Sequence, residues 1–254
     1  MAERRIKIKK KADFFKSMPF NFCDRWCERC DLYDKCRAFQ DMFVNRIEHI
    51  AKGEDPDSPA AIFADMRKAF VLATEVIKRD IQKQGIDPQK VKVTIVKEEI
   101  DKRLRPEIFP LWRLGHKFTL ETQRLLTNVF SEQDEELLEI FDRLKKGIEE
   151  LNWYHTFFDS KLYRALVDHQ VLEKEKDKIF RSMVRQDMNV SAKLSYQALI
   201  SCQRVLDQIF QNCRGYMSWA RDLSVLTKFI AEKIEAQFPG LNKTKVIFHG
   251  AVTK

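Results

Sequence analysis

Four of the six cysteines in this 254-residue chain, Cys23, Cys27, Cys30 and Cys36, fall within fourteen consecutive positions. The run FCDRWCERCDLYDKC spaces them C-x3-C-x2-C-x5-C. Thiolates are soft donors, and four that converge on one centre select zinc or an iron–sulfur cluster. Crowded thiols without a shared partner are an oxidation hazard, and a disulfide framework would be spread more evenly along the chain. The expected cofactor is therefore a [4Fe–4S] cluster or Zn, with these four cysteines as ligands. Cys23, Cys27 and Cys30 stand at i, i+4 and i+7, which predicts one face of a helix. Phe20, Phe22, Trp26, Tyr33 and Phe39 flank them as an apolar wall. Arg25, Arg29, Lys35 and Arg37 offset the charge of about −2 that four thiolates leave on either metal centre. A fully thiolate-coordinated site keeps no open position, so it is structural or electron-transferring and not hydrolytic.

The second place for chemistry is the segment WYHTFFDSKLYR, residues 153–164. His155 and Asp159 lie at i, i+4, so the carboxylate can orient the imidazole, and Tyr163 and Arg164 follow one turn later. These four are the candidate catalytic or ligand-binding residues; a hydrogen-bonded layer that fixes helix register is the alternative. Asp168 and His169 read as surface. The adjacent pairs Glu98–Glu99, Glu135–Glu136 and Glu149–Glu150 do not share a helix face and read as solvated charge. Cys202 and Cys213 read as small buried apolar groups. The P-loop, the dinucleotide fingerprint, HExxH, Glu-x-x-His and the G-x-S-x-G elbow are all missing from the sequence.

Long helices must position these groups. Only seven glycines and seven prolines occur, too few for Gly-rich nucleotide-binding loops or turn-dense sandwiches. A helix is predicted over 37–52, closed by Gly53. A second starts at Ser58-Pro59 and carries Ile62, Phe63, Met66, Phe70, Ala73, Ile77 and Ile81 at helical spacing. Residues 91–96 (VKVTIV) are read as a short helix. Pro106 and Pro110 mark a break before another amphipathic run. A capping start at Ser131 and Asp134 opens a long helix to about residue 172. Further helices are predicted over 191–213 and 217–237, and 245–254 forms a strand or an ordered arm. The class is all-α: a multi-helix, up-and-down bundle preceded by the four-cysteine segment. The expected division is a basic arm and metal-binding segment over 1–53, the bundle over 54–240 and a basic tail over 241–254.

The formal net charge of +8 belongs to the two ends. Residues 1–11 carry six basic groups against Glu3, and residues 243–254 carry Lys243, Lys245 and Lys254 with no acid. Such arms can hold a nucleic acid or a protein partner. No apolar stretch reaches the length of a membrane span, and no apolar segment follows the basic start, so the protein is expected in the cytoplasm.

Cys27-x2-Cys30-x5-Cys36 resembles the last three cysteines of the [4Fe–4S] loop in helical DNA glycosylases of the endonuclease III and MutY type. The resemblance implies an iron–sulfur cluster. It does not carry over glycosylase activity, because the Gly-rich helix–hairpin–helix loop is missing and the cysteines stand at the opposite end of the chain. Cys23-x3-Cys27-x2-Cys30 shares the spacing of radical SAM enzymes, but Arg29 replaces their aromatic residue, Cys36 adds a fourth ligand and barrel strands are not predicted. The pair of segments CDRWCERC and NWYHTFFDSKLYRAL is similar to uncharacterised bacterial all-helical proteins with an N-terminal four-cysteine motif, a similarity that implies no function.

Overall fold

The structure of the protein, a computed structural model, describes residues 19–83, 85, 105–131 and 135–250, with backbone alone for 135–142. The basic arm 1–11, the predicted helix at 91–96 and residues 251–254 lie outside the described residues. The described part is predominantly helical, with six α-helices and several short 3₁₀ turns. Its contacts gather the chain into two units. Residues 19–29 belong with those after 105, and residues 30–85 form the other unit, so helices on both sides of residue 53 share one unit.

The smaller unit is a helical hairpin. Helix α1 spans Arg37–Ala51 and α2 spans Pro59–Lys83. Gly53 ends α1 in the left-handed conformation, φ 74°, where its backbone N–H reaches the Ile50 carbonyl. Ser58 starts α2 as expected: its Oγ accepts from the Ala61 N–H at 3.3 Å, ahead of Pro59 in the first turn. Polar bonds clamp the two helices. His49 is buried with Nδ1 2.5 Å from Glu54 and Nε2 3.1 Å from Asp65. Arg46 forks onto Asp57, and Lys68 reaches Glu48 and Asn45. These contacts use the Ala61–Asp65–Lys68 side of α2. The stripe Ile62, Phe63, Met66, Phe70 and Ile77 points elsewhere and is exposed.

The larger unit is an antiparallel four-helix bundle. Helices α3 (Pro110–Ser131), α4 (Glu135–Lys174), α5 (Lys178–Asn212) and α6 (Met217–Gln237) each pack against the next, and α6 returns to α3. The cross-bonds fix the directions. Thr119 on α3 donates to the His155 carbonyl on α4, Ser201 on α5 donates to Glu150, and Ser224 on α6 donates to Asp207. Helix α4, at 40 residues, is about 60 Å long. Its inner face carries Leu151, Tyr154, Phe158, Leu162 and Ala165, all fully buried. Gly115 allows α3 to approach that face, since a Cβ there would stand 2.9 Å from Leu162 and 3.0 Å from Phe158. Phe118 meets Phe158 edge-on at 5.7 Å. Each such ring withdrawn from water contributes roughly 1.5–3 kcal/mol.

Three expectations need correction here. Helix α5 starts at Lys178, not near 191, because Asp177 caps it by accepting from the Phe180 N–H at 2.7 Å. Ile179, Phe180 and Met183 in its first turns are exposed, so that stretch has no core-facing periodicity to read. Glu150 and Asp168, read as solvated, are buried in the bundle. Cys202 and Cys213 are fully buried, as expected. Among the described residues, no helix is long and apolar enough to cross a membrane.

Candidate metal centre and the buried aspartate beside it

The segment that opens the cysteine run is extended and not helical. Phe22, Asp24 and Trp26 are buried, while Cys23 and Cys27 are half-buried and Arg25 is exposed. Burial thus alternates from residue to residue over 22–27, which groups Cys23 with Cys27 as the i, i+4 spacing of a helix would. Two local features exclude the helix predicted for Cys23, Cys27 and Cys30. Arg25 holds φ at 60°, a left-handed conformation that a helix cannot pass through. The Asp24 side chain accepts from the Trp26 N–H at 3.2 Å, competing with the backbone for that donor. A 3₁₀ turn, Cys27–Arg29, follows.

Asp24 is the anchor of the segment, and its fractional exposure is zero. Oδ2 accepts from the Tyr154 hydroxyl at 2.6 Å and from the His249 backbone N–H at 2.7 Å. Oδ1 accepts from His249 Nδ1 at 2.7 Å. The Trp153 indole N–H reaches the Asp24 carbonyl at 3.3 Å. A buried carboxylate is tolerable only when its lone pairs are filled in this way. Burial, followed by the Asp24 hydrogen bond and charge, pushes the Tyr154 hydroxyl far above its ordinary range, so it stays a donor.

Residues 245–250 form an ordered arm, the second of the two forms expected for the tail. Ile247 pairs in parallel with Cys23: its N–H donates to the Phe22 carbonyl at 2.8 Å, and its carbonyl accepts from the Asp24 N–H at 3.1 Å. Phe248 stacks on Tyr154 at 4.6 Å. Gly250 lies so close that a Cβ would stand 2.6 Å from the Tyr154 and Phe248 rings, so a larger residue there requires the rings or the arm to shift.

On the other flank, Trp26 stacks on Trp153 at 5.5 Å and meets Tyr154 edge-on. The Arg29 guanidinium lies 3.7 Å above the Trp26 ring and bonds Glu149 and Glu150. Glu150 is held in turn by Arg204 and Ser201. Trp26 thus fixes both ends of the 3₁₀ turn against α4.

Cys30 and Cys36 belong to the hairpin unit. The Leu32 N–H points at Cys30 Sγ across 3.4 Å. Cys36 is buried at the start of α1, where its carbonyl accepts from the Gln40 N–H. Among the described residues, no three His, Cys, Asp or Glu side chains stand grouped as a metal-ligand set.

The residues singled out on α4 are placed otherwise than the sequence suggested. His155 is fully packed: Nδ1 donates to the Leu151 carbonyl at 2.9 Å and Nε2 meets the Gln123 side-chain amide at 2.8 Å. Burial lowers its pKa, opposed by the backbone hydrogen bonds at Leu151 and Asn152. Asp159 does not orient it; Asp159 pairs instead with His116 at 2.8 Å, and His116 stacks on Trp112. Tyr163 packs its ring near Phe109 and Trp112. Arg164 is engaged with Asp187 and stands 3.7 Å from Asp168. These four side chains do not converge on one another. The sequence reading missed Asp24, His249 and Glu150; no pattern of polar and apolar residues in FCDRWC marks Asp24 as inward-facing.

Compared with known proteins, the chain matches no family model, no curated protein and no solved structure.

Proposed function

We propose that this is a cytoplasmic metal protein in which Cys23, Cys27, Cys30 and Cys36 hold a [4Fe–4S] cluster, with a structural or electron-transfer role. The single observation that carries the reading is the spacing of four soft donors within fourteen residues. Three features support it. The Leu32 N–H directed at Cys30 Sγ is the kind of bond that stabilises a metal-bound thiolate. Buried Phe22 and the Trp26 ring stacked on Trp153 anchor the chain on either side of Cys23 and Cys27. Arg25 and Arg29 supply positive charge near the segment. When bound, the cluster would supply a one-electron couple, while the chain fixes the thiolates and screens them from water. The described side chains give no convergent pocket around His155 and Asp159 that would favour a rival enzymatic reading.

The test is anaerobic purification with quantification of iron, acid-labile sulfide and zinc, together with the visible spectrum. Four irons and four sulfides per chain with a broad visible band are expected. One zinc per chain without the band would replace the cluster by structural zinc. Substoichiometric amounts of every metal would overturn the reading.

A further inference from the structure

The arm Lys245–Gly250 is held at four successive positions, two against the cysteine segment and two against Tyr154 of α4. Ile247 supplies two backbone bonds around Cys23, Phe248 a ring stack on Tyr154, His249 two bonds to Asp24, and Gly250 a close approach to Tyr154. All four converge on Phe22, Asp24 and Tyr154, the helix-α4 side chain whose hydroxyl bonds the Asp24 carboxylate. The sequence separation between Asp24 and His249 is 225, so this contact is not a local turn preference. The arm itself has little core. Residues 246–250 are half-buried, and beyond Leu241 the arm is held chiefly through Asp24 and Tyr154. A terminal element with little core of its own, half of whose polar bonds go to one carboxylate, can detach locally without unfolding the bundle.

We propose that the 245–250 arm is a detachable strap, latched by Asp24, that fixes the position of Cys23 and governs access to its thiol. With the strap docked, Cys23 is edged by Ile247 and is only partly open to solvent. With it released, residues 22–24 lose their backbone partner, and Cys23 becomes mobile and reachable by oxidants, thiol reagents and competing chelators. Asp24 is a positioning residue in this scheme: it acts on Cys23 through the strap. The consequence for metal retention rests on the four-cysteine reading; the consequence for thiol access does not.

The experiment compares the full-length chain with Asp24→Asn and His249→Ala. In chelator-stripped protein, N-ethylmaleimide labelling is followed cysteine by cysteine by peptide mass spectrometry. Fully buried Cys202 reports global opening, and Cys30 is the internal reference. Loss of charge-assisted bonds should raise the population with the strap released, and so the Cys23 labelling rate, by about ten- to a hundredfold. Cys202 and Cys30 should keep their rates. If Asp24→Asn also opens Cys202, it has loosened the bundle, and His249→Ala then decides, since it leaves the Asp24 carboxylate with its Tyr154 and Trp26 bonds in place. A Cys23 rate within about twofold of the unsubstituted chain in His249→Ala overturns the strap. A second arm measures loss of metal to a chelator from anaerobically purified protein, where faster loss in both variants is expected. Unsubstituted protein that carries no metal would overturn the four-cysteine reading and leave the labelling result standing on its own.

Discussion

The Tyr154 hydroxyl donates to Asp24 Oδ2 across 2.6 Å, joining residues 130 positions apart in a fully buried bond. It ties the start of the described chain to the middle of the longest helix. Because the acceptor is a buried carboxylate, the bond belongs to the stronger, charge-assisted class.

Tyr154→Phe keeps the ring stack with Phe248 and removes only this donor. The expected cost is about 2 kcal/mol, since one lone pair of a buried charge is left unfilled. Urea unfolding followed by circular dichroism reads it as a lower midpoint at unchanged slope. An unaltered midpoint would show that the other Asp24 donors suffice.

Glu150 is buried between Arg29 and Arg204, each about three-quarters buried. Glu150→Ala strands the Arg204 guanidinium and Ser201 and leaves Arg29 only the exposed Glu149, at a cost of about 3 kcal/mol. Arg29 should also leave Trp26, so the tryptophan emission of the folded protein should shift in the same variant. Neither effect is expected for exposed Glu149→Ala.

His49 sits between Glu54 and Asp65, whose hydrogen bonds raise its pKa above the ordinary 6.5. A raised folded-state value means that the clamp's contribution is complete below pH 6.5 and is lost as pH rises through the folded-state pKa. NMR titration of the His49 ring should give a midpoint above 6.5, and Glu54→Gln should lower it. A midpoint at or below 6.5 in the unsubstituted chain would contradict the clamp.

Asp168 behaves in the opposite sense to a salt-bridged carboxylate. Burial, helped by the charge of Asp187 and opposed by Arg164, pushes it up to about 6. The folded state therefore holds this proton more tightly than the unfolded chain, and stability falls as pH rises from about 4 through about 6. Asp168→Asn should stabilise the bundle by about 1 kcal/mol at neutral pH, a figure kept low because Arg164 is largely solvated. The gain should vanish near pH 4 in denaturant titrations run at both values.

The helical class, the Ser58–Pro59 start and the buried Cys202 and Cys213 were legible because each has a local physical signature. A periodic stripe, a cap and a small apolar residue in a helix interior all announce themselves within a few positions. The inward turns of Asp24 and Glu150 were not legible, because an acidic residue reads as solvated until its partners are known. Those partners, Tyr154 and His249 for one and Arg29 and Arg204 for the other, lie far away in sequence. His155 and Asp159 show the converse. Their i, i+4 spacing is real, yet neighbouring α3 supplies Gln123 and His116, and cross-helix bonds win over the local pair.

The left-handed backbone of Arg25 gives the three-residue gap between Cys23 and Cys27 a conformational requirement of its own. The chain turns there, and the Cys27 N–H closes onto the Arg25 carbonyl at 3.0 Å. Glycine at position 25 would adopt that backbone without steric cost, whereas a β-branched residue would resist it. The motif length is thus set by the turn between the two cysteines as well as by anything the sulfurs bind.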